Sequence, residues 1–154
     1  MGFDVHGMNP KQNTKKPPLV KKIDEGDWLE AFENLSKEER DEYFTLKSEW
    51  EKENAGSYFR NNVWWWRPLW DYVQDRLQWN ADEGHYNDGF EVSEERALKI
   101  ATTIKQDSDT GYLKTYEITH NRSQEGEKFS YPFNSDNALE FANFCEQSGG
   151  FKIC

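Results

Sequence analysis

Ser57-Tyr-Phe-Arg-Asn-Asn-Val-Trp-Trp-Trp-Arg-Pro-Leu-Trp-Asp-Tyr-Val73 holds four of the seven tryptophans of the chain, and its reading decides where a core can form. Large aromatic side chains carry most of the apolar area available for burial, so a cluster this dense belongs at or against the core. From Pro68 onward the spacing predicts a helix. Proline suits a first helical turn, where its missing amide hydrogen is not needed, and Leu69, Val73 and Leu77 then recur every fourth residue towards Trp79. Trp64, Trp65 and Trp66 are adjacent, and in a strand or turn at least one of them must point away from its neighbours. The plainer reading puts two in the core and covers the third with acidic helices. The polar company argues for a pocket instead. Arg60, Asn61, Asn62 and Arg67 surround the triple tryptophan, and buried guanidinium and amide groups are costly unless something satisfies them. An indole is a platform for a base or a sugar ring, asparagine reads donor and acceptor edges, and arginine grips phosphate or carboxylate in a bidentate fork. Arg60, Asn62, Trp64, Trp65, Trp66 and Arg67 are therefore candidate ligand-binding residues.

Around this block the composition sets limits. A chain of 154 residues suits one domain, and with 35% apolar but 16% aromatic residues its core must be built from few, large side chains. A net charge of -10 argues against wrapping long DNA or RNA and against docking on an anionic membrane surface, since both rest on lysine and arginine. No apolar run approaches the ~18 residues of a membrane span, and Met1 to Pro10 lacks the charged start and apolar stretch of a secretion signal. The expectation is a soluble, cytoplasmic protein.

The charge is local. Residues 24–54 hold twelve acids against four bases, whereas the segment before them is basic. Residues 11–23, with Pro17 and Pro18 adjacent, read as an extended, solvated connector, or as a basic arm for nucleic acid. The acidic block reads as two helices. Trp28, Leu29, Phe32 and Leu35 form one stripe; Ser36 then stands three residues before Glu39 in a capping-box arrangement, opening a second helix to Asn54. Tyr43, Leu46 and Trp50 give that helix only a narrow apolar seam, which suggests a projecting acidic hairpin. Glu38, Glu39, Asp41, Glu42, Glu49 and Glu53 are either an ordinary wet face or a surface that docks on a basic protein.

Downstream, Gly84-His-Tyr-Asn-Asp-Gly89 is rich in turn residues and reads as a connection between helices; His85, Asn87 and Asp88 can also place an imidazole and a carboxylate at a site. Such a pair is too few for a metal, which wants three or four ligands. Ser93 caps a helix with an Ala97, Ile100, Ala101 and Ile104 stripe; residues 112–119 suit helix or strand; Ser135 opens a last helix that Gly149-Gly150 stops. Phe3 and Val5 alternate as Phe151 and Ile153 do, so the two ends can pair in a small sheet. Cys145 and Cys154 show no metal spacing, and no nucleotide-binding glycine loop or nucleophile elbow is present in the sequence.

The strings Gly2-Phe-Asp-Val-His-Gly7, Tyr58 to Trp70, Gly84 to Gly89 and Ser148-Gly-Gly-Phe-Lys-Ile-Cys154 together resemble an uncharacterised family of small proteins found in bacteria and their phages. The motifs run from the first residues to the last. Against that pattern, residues 20–56 look like an insertion, and the paired Cys-x-x-Cys-x-Gly-x-Gly elements of many members are replaced by Thr119 to Lys128. The resemblance implies no established activity. It implies that Arg60, Asn62, Arg67, His85, Asn87 and Asp88 belong to a shared site or scaffold, and that the setting is the host cytoplasm if a phage encodes the chain.

The combined expectation is a single α+β domain, mainly α, with a small sheet from the terminal segments and an acidic helical insertion over 24–54. The leading functional reading is a non-enzymatic pocket for a nucleotide-like or sugar-like small molecule, with no cofactor. In a phage this would suit counter-defence by sequestering a signal, which is an analogy. The alternatives are an acidic inhibitor that mimics nucleic acid before a basic host protein, and a small hydrolase using His85 and Asp88.

Overall fold

The aromatic stretch changes period at Asn62. Tyr58–Asn62 is extended, with Phe59 buried and Arg60 exposed; the Asn62 side-chain oxygen then accepts from the Trp65 amide at 3.1 Å, which ends the strand and starts a helix. The computed structural model describes residues 2–80 and 82–154. In chain order its elements are β1 (Gly2–Gly7), α1 (Pro18–Asp24), α2 (Trp28–Glu33), α3 (Lys37–Glu53), β2 (Tyr58–Asn62), α4 (Val63–Leu77), β3 (Phe90–Val92), α5 (Glu94–Thr110), α6 (Tyr112–Ser123), α7 (Ser135–Ser148) and β4 (Phe151–Ile153). The fold is α+β and mainly α. Among the described residues no helix is long and apolar enough to cross a membrane. The chain divides into two compact units, one joining the segment up to Lys11 with Gly56–Cys154, the other Gln12–Ala55.

In the larger unit the two ends of the chain pair as their alternation predicts, Val5 opposite Ile153 and Gly7 opposite Phe151. Two further strands extend this pair into an antiparallel sheet of order β2-β1-β4-β3. Residues 90–92, which the sequence leaves in a connection, thus form an edge strand. Phe3, Val5, Phe59, Val92, Phe151 and Ile153 are buried on one face, while His6, Arg60, Glu91 and Lys152 stay exposed on the other, the ordinary half-wet pattern of an antiparallel sheet.

α4 lies on the buried side. It starts at Val63, so all three adjacent tryptophans are helical and Pro68 is inside the helix rather than in its first turn. The missing proline amide leaves the Trp64 carbonyl without its usual helical donor. Helical geometry separates the three rings: Trp66 is completely buried, whereas Trp64 and Trp65 are 40% and 37% exposed. Trp66 stacks between Phe3 at 5.5 Å and Trp70 at 5.3 Å. Both indole nitrogens donate to backbone carbonyls of one turn, Trp66 to Gly84 at 3.0 Å and Trp70 to Glu83 at 2.6 Å. These bonds let two large polar-tipped rings be buried without orphaned donors. Gly84 has φ +82, and a Cβ on it would lie 2.4 Å from the Trp70 Nε1.

α5 packs chiefly on α7 and is tied to α4 by Asp107. This buried carboxylate accepts from Arg76 Nε and Nη2, both at 2.8 Å, and from the Tyr72 hydroxyl at 2.5 Å. Burial alone would raise its pKa; the hydrogen bonds from Arg76 and Tyr72 outweigh that and hold it below the usual carboxylate value. The undecided 112–119 segment is helical. Leu113 is buried and Tyr116 sits at 5.0 Å from Tyr72 and 4.8 Å from Phe133, so packing of a 3.6-residue stripe overrides the strand preference of its Thr and Tyr content.

The smaller unit corrects the connector reading. Pro18 is the first residue of α1, whose Val20 and Ile23 are fully buried with Tyr43 of α3. A proline at N1 initiates this helix rather than preventing one. The lead-in is held as well: the Asn54 side-chain oxygen accepts from the amides of Asn13 at 2.7 Å and Thr14 at 3.0 Å. The two expected acidic helices are present as α2 and α3, with the Ser36–Glu39 capping box formed in both directions at 3.2 and 3.3 Å. Asp24 accepts from the Tyr43 hydroxyl at 2.5 Å and pairs with Lys16 at 3.2 Å.

Gly84→Ala combines a left-handed backbone with a clash against the Trp70 ring, and is expected to destabilise the fold by about 3 kcal/mol in chemical denaturation. Asp107→Asn is expected to cost about 2–3 kcal/mol at neutral pH. Because the folded pKa of Asp107 is depressed, its stabilisation is present above the unfolded value of about 4 and is lost as pH falls through the folded one. The variant should therefore show a flatter acid limb below about pH 4 than the parent.

Candidate functional site

With Trp66 and Trp70 turned inward, α4 presents Trp64, Arg67, Asp71, Asp75 and Gln78 on its opposite face, at spacings of three and four residues. Two adjacent pockets open on that face and share Asp71. One, of about 250 Å³, is lined by Arg67, Pro68, Asp71, His120, Gln124 and Tyr131. The other, of about 350 Å³, is lined by Asp71, Gln74, Asp75, Gln78 and Trp79. The second and third turns of one helix thus supply the floor of both.

The walls come from loops fixed to the core. The Gln74 amide nitrogen donates to the carbonyls of Asn80 at 2.5 Å and Glu83 at 2.8 Å, which determines the orientation of its amide. Its oxygen then faces His85 Nε2 at 2.7 Å. A carbonyl oxygen only accepts, so His85 carries its proton on Nε2, and this nitrogen also lies 3.5 Å from an Asp71 oxygen. On the other side of Asp71, His120 Nε2 is 2.6 Å from the Tyr131 carbonyl, which again makes that nitrogen the donor, and its ring lies parallel to Tyr116 at 5.9 Å. Arg67 donates to the Tyr131 hydroxyl at 3.4 Å. The Tyr131 ring is 5.0 Å from Trp64, and Phe129 stacks on the same indole at 6.1 Å.

The Asp71 side chain is 60% exposed; the groups crowded around it still raise its pKa slightly by desolvation, and charge interactions with His85, His120 and Arg67 offset only part of that effect. Tyr116, beneath the same face, is pushed up to about 12, first by burial and then by the charges of Asp71 and Asp75. The site therefore combines two carboxylates, Asp71 and Asp75, with two imidazoles, one guanidinium and the rings of Tyr131 and Trp79. Such a set can accept N–H or O–H donors, hold a negative group and stack a flat ring.

The residues singled out in the sequence do not all meet here. Arg67 and His85 do, around Asp71, while Trp64 packs behind Tyr131 and lines neither pocket. Trp65 is half-exposed in the first turn of α4, whereas Trp66 is wholly enclosed by the core and has no surface to offer a ligand. Asn62 is occupied as the cap of α4. Arg60 belongs to the wet face of the sheet, where it pairs with Asp4 at 3.5 Å beside the Tyr58 hydroxyl that donates to the same carboxylate. In the glycine-flanked loop, Asn87 donates to the Gly2 carbonyl at 2.8 Å and Asp88 accepts from the Phe90 amide at 3.2 Å, so both shape the turn that leads into β3. Asp71, Gln74, His120 and Tyr131 were not anticipated. Asp71 and Gln74 were within reach of the helical period, four and seven residues after Arg67, once α4 is started at Val63; His120 and Tyr131 carry no local signal. The acids Glu38, Glu39, Asp41, Glu42, Glu49 and Glu53 are exposed on α3, with Glu39 engaged in the capping box.

Among the described residues no group of three or more His, Cys, Asp or Glu side chains is placed to hold a metal ion. No protein-family model, curated protein or solved structure matches the chain.

Removing one positive neighbour weakens the opposition to desolvation: in Arg67→Ala the carboxyl carbon of Asp71 is expected to titrate at a slightly higher pH than in the parent, as read by carbon NMR. Gln74→Leu should release His85 from its single tautomer, visible as averaging of its two ring nitrogen shifts.

Proposed function

We propose that this protein binds a small, flat ligand, nucleotide-like or sugar-like, on the Asp71 face of α4, and that it holds the ligand without converting it. The observation that carries the reading is the sharing of Asp71 by two pockets, one of them walled by Arg67, His120 and Tyr131, with His85 held 3.5 Å from the same carboxylate. In this reading Tyr131 stacks the ring, Arg67 takes a phosphate or other negative substituent, and Asp71 accepts from the polar edge. Neither Asp71 nor His85 stands beside a serine, threonine or cysteine in the contacts described above, and a nucleophile with an oriented base is what a hydrolase of this kind requires. Sequestration of a signalling molecule is the role we infer for such a binder.

The reading is tested by a thermal-shift panel of mono-, di- and cyclic nucleotides and of sugars. A true ligand at a hundredfold excess over its Kd should stabilise the protein by ~2.7 kcal/mol. Asp71→Asn and Arg67→Ala should abolish the shift while changing unliganded stability by no more than about 0.5 kcal/mol. Absence of any shift across the panel removes the proposal. Chromatography of the bound compound should return it unchanged; turnover that disappears in His85→Ala would replace binding by catalysis.

A further inference from the structure

α2 has no fully buried residue: Ala31 and Phe32 pack half-buried on the Val20, Ile23 and Tyr43 core, and the rest of the helix is exposed. Four of its six residues, Trp28, Leu29, Ala31 and Phe32, are apolar, yet none is buried, and Trp28 and Leu29 are 40% and 65% exposed. An apolar element left this open in a protein with so few apolar residues is the kind of surface that a partner covers. Beside it lies a groove of about 390 Å³, with Leu19 and Ile23 of α1 facing Ala31 and Leu35. Three carboxylates, Asp27, Glu30 and Glu39, line the same groove against one base, Lys22.

Lys22 offsets only one of these three charges, and the surrounding bases are engaged elsewhere. Arg40 donates to the carbonyls of Phe32 and Glu33, both at 3.2 Å, and Lys47 is drawn to Asp24 and the Tyr43 hydroxyl. Asp27 and Glu39 each accept one backbone amide, from Glu30 and Ser36 respectively, and the Glu30 carboxylate accepts no hydrogen bond among the described residues. The groove therefore couples an apolar floor to a net negative rim, in a unit with twelve acids and eight bases.

We propose that the Gln12–Ala55 unit docks a basic, amphipathic segment of another protein. Leucine-type side chains of that segment enter the groove over Ala31 and Leu35, and its lysines or arginines meet Glu30, Asp27 and Glu39. This partner surface lies in the smaller unit and is independent of the Asp71 site.

The probe is a labelled synthetic helix of leucines and lysines arranged amphipathically, titrated with the full-length protein by fluorescence anisotropy. Two control peptides accompany it, one with glutamate in place of lysine and one with glycine in place of leucine. Binding of the leucine–lysine helix is expected to exceed that of either control at least tenfold and to weaken with added salt. Glu30→Lys should weaken it about tenfold. Ala31→Leu, which fills the groove and leaves every charge in place, should weaken it several-fold. Reversal of two exposed acids in the larger unit, Glu125→Lys with Glu127→Lys, should leave binding unchanged. Circular dichroism on each variant checks that its helices persist, and Ala31→Leu serves as the groove test if the charge variant unfolds. Equal binding of the lysine–glycine peptide, an equal loss in the Glu125/Glu127 variant, or no binding of the leucine–lysine helix would each overturn the proposal. Tighter binding of an identical unlabelled chain than of the peptide, read by sedimentation, would assign the groove to a second copy and overturn it as well. The groove variants should leave the thermal shift by nucleotides or sugars intact, so the two proposals stand or fall separately.

Discussion

Two buried indole N–H groups need acceptors, and the way they find them organises the larger unit. Trp66 and Trp70, one helical turn apart, stack against each other and on Phe3, which binds α4 to the sheet. Their ring nitrogens reach past the apolar contact to two successive carbonyls, of Gly84 and Glu83. A buried donor left unpaired costs about as much as a lost core contact, so the loop that supplies the carbonyls is not free to move. Glycine is required at position 84 because the backbone is left-handed there and comes up against the Trp70 ring. The same loop carries His85 to Gln74 and Asp71. Core packing and site geometry therefore rest on one set of bonds.

The opposite face of α4 shows what this arrangement leaves over. A helix with one face committed to three large rings must put its polar residues on the other, and there Arg67, Asp71 and Asp75 accumulate with little apolar cover. Loops from α6 and from the α4–β3 connection close on this stripe from both sides. Asp71 nevertheless stays mostly exposed and reachable from both pockets, with its pKa raised by the desolvation its neighbours impose. The smaller unit solves a different problem. Its core is only Val20, Ile23 and Tyr43, with partly buried neighbours, and it covers α2 only at Ala31 and Phe32. Capping, in the Ser36–Glu39 box and at Asn54, supplies order that a larger core supplies elsewhere.

Much of the architecture was legible in the residues. The alternation of Phe3 and Val5 with Phe151 and Ile153 predicted the pairing of the chain ends; Ser36 with Glu39 predicted the start of α3; the Ala97–Ile104 stripe predicted α5. The errors share a cause. Both proline misreadings, at 17–18 and at 68, used a local rule where tertiary context decided the outcome: α1 begins at its proline because Val20 and Ile23 have a core to enter, and α4 runs through Pro68 because the rings before it are needed inside. Starting α4 five residues late hid the register that puts Arg67 and Asp71 on one face, and so spread the expected site over Asn62, Asn87 and Asp88, whose side chains serve the backbone instead.

The sequence by itself determined which segments are helical or extended wherever period and capping agree, and it located the aromatic mass and the acidic block, because these depend on neighbours a few positions apart. It named Arg67, His85 and Trp64 among the candidates by residue type alone. Which tryptophan is core and which is surface, which histidine nitrogen carries the proton, and which carboxylate lies between two histidines were decided only by tertiary structure. Each depends on groups far apart in the chain, such as the carbonyl of Glu83 and the ring of Tyr131, meeting across a helix whose orientation the core sets.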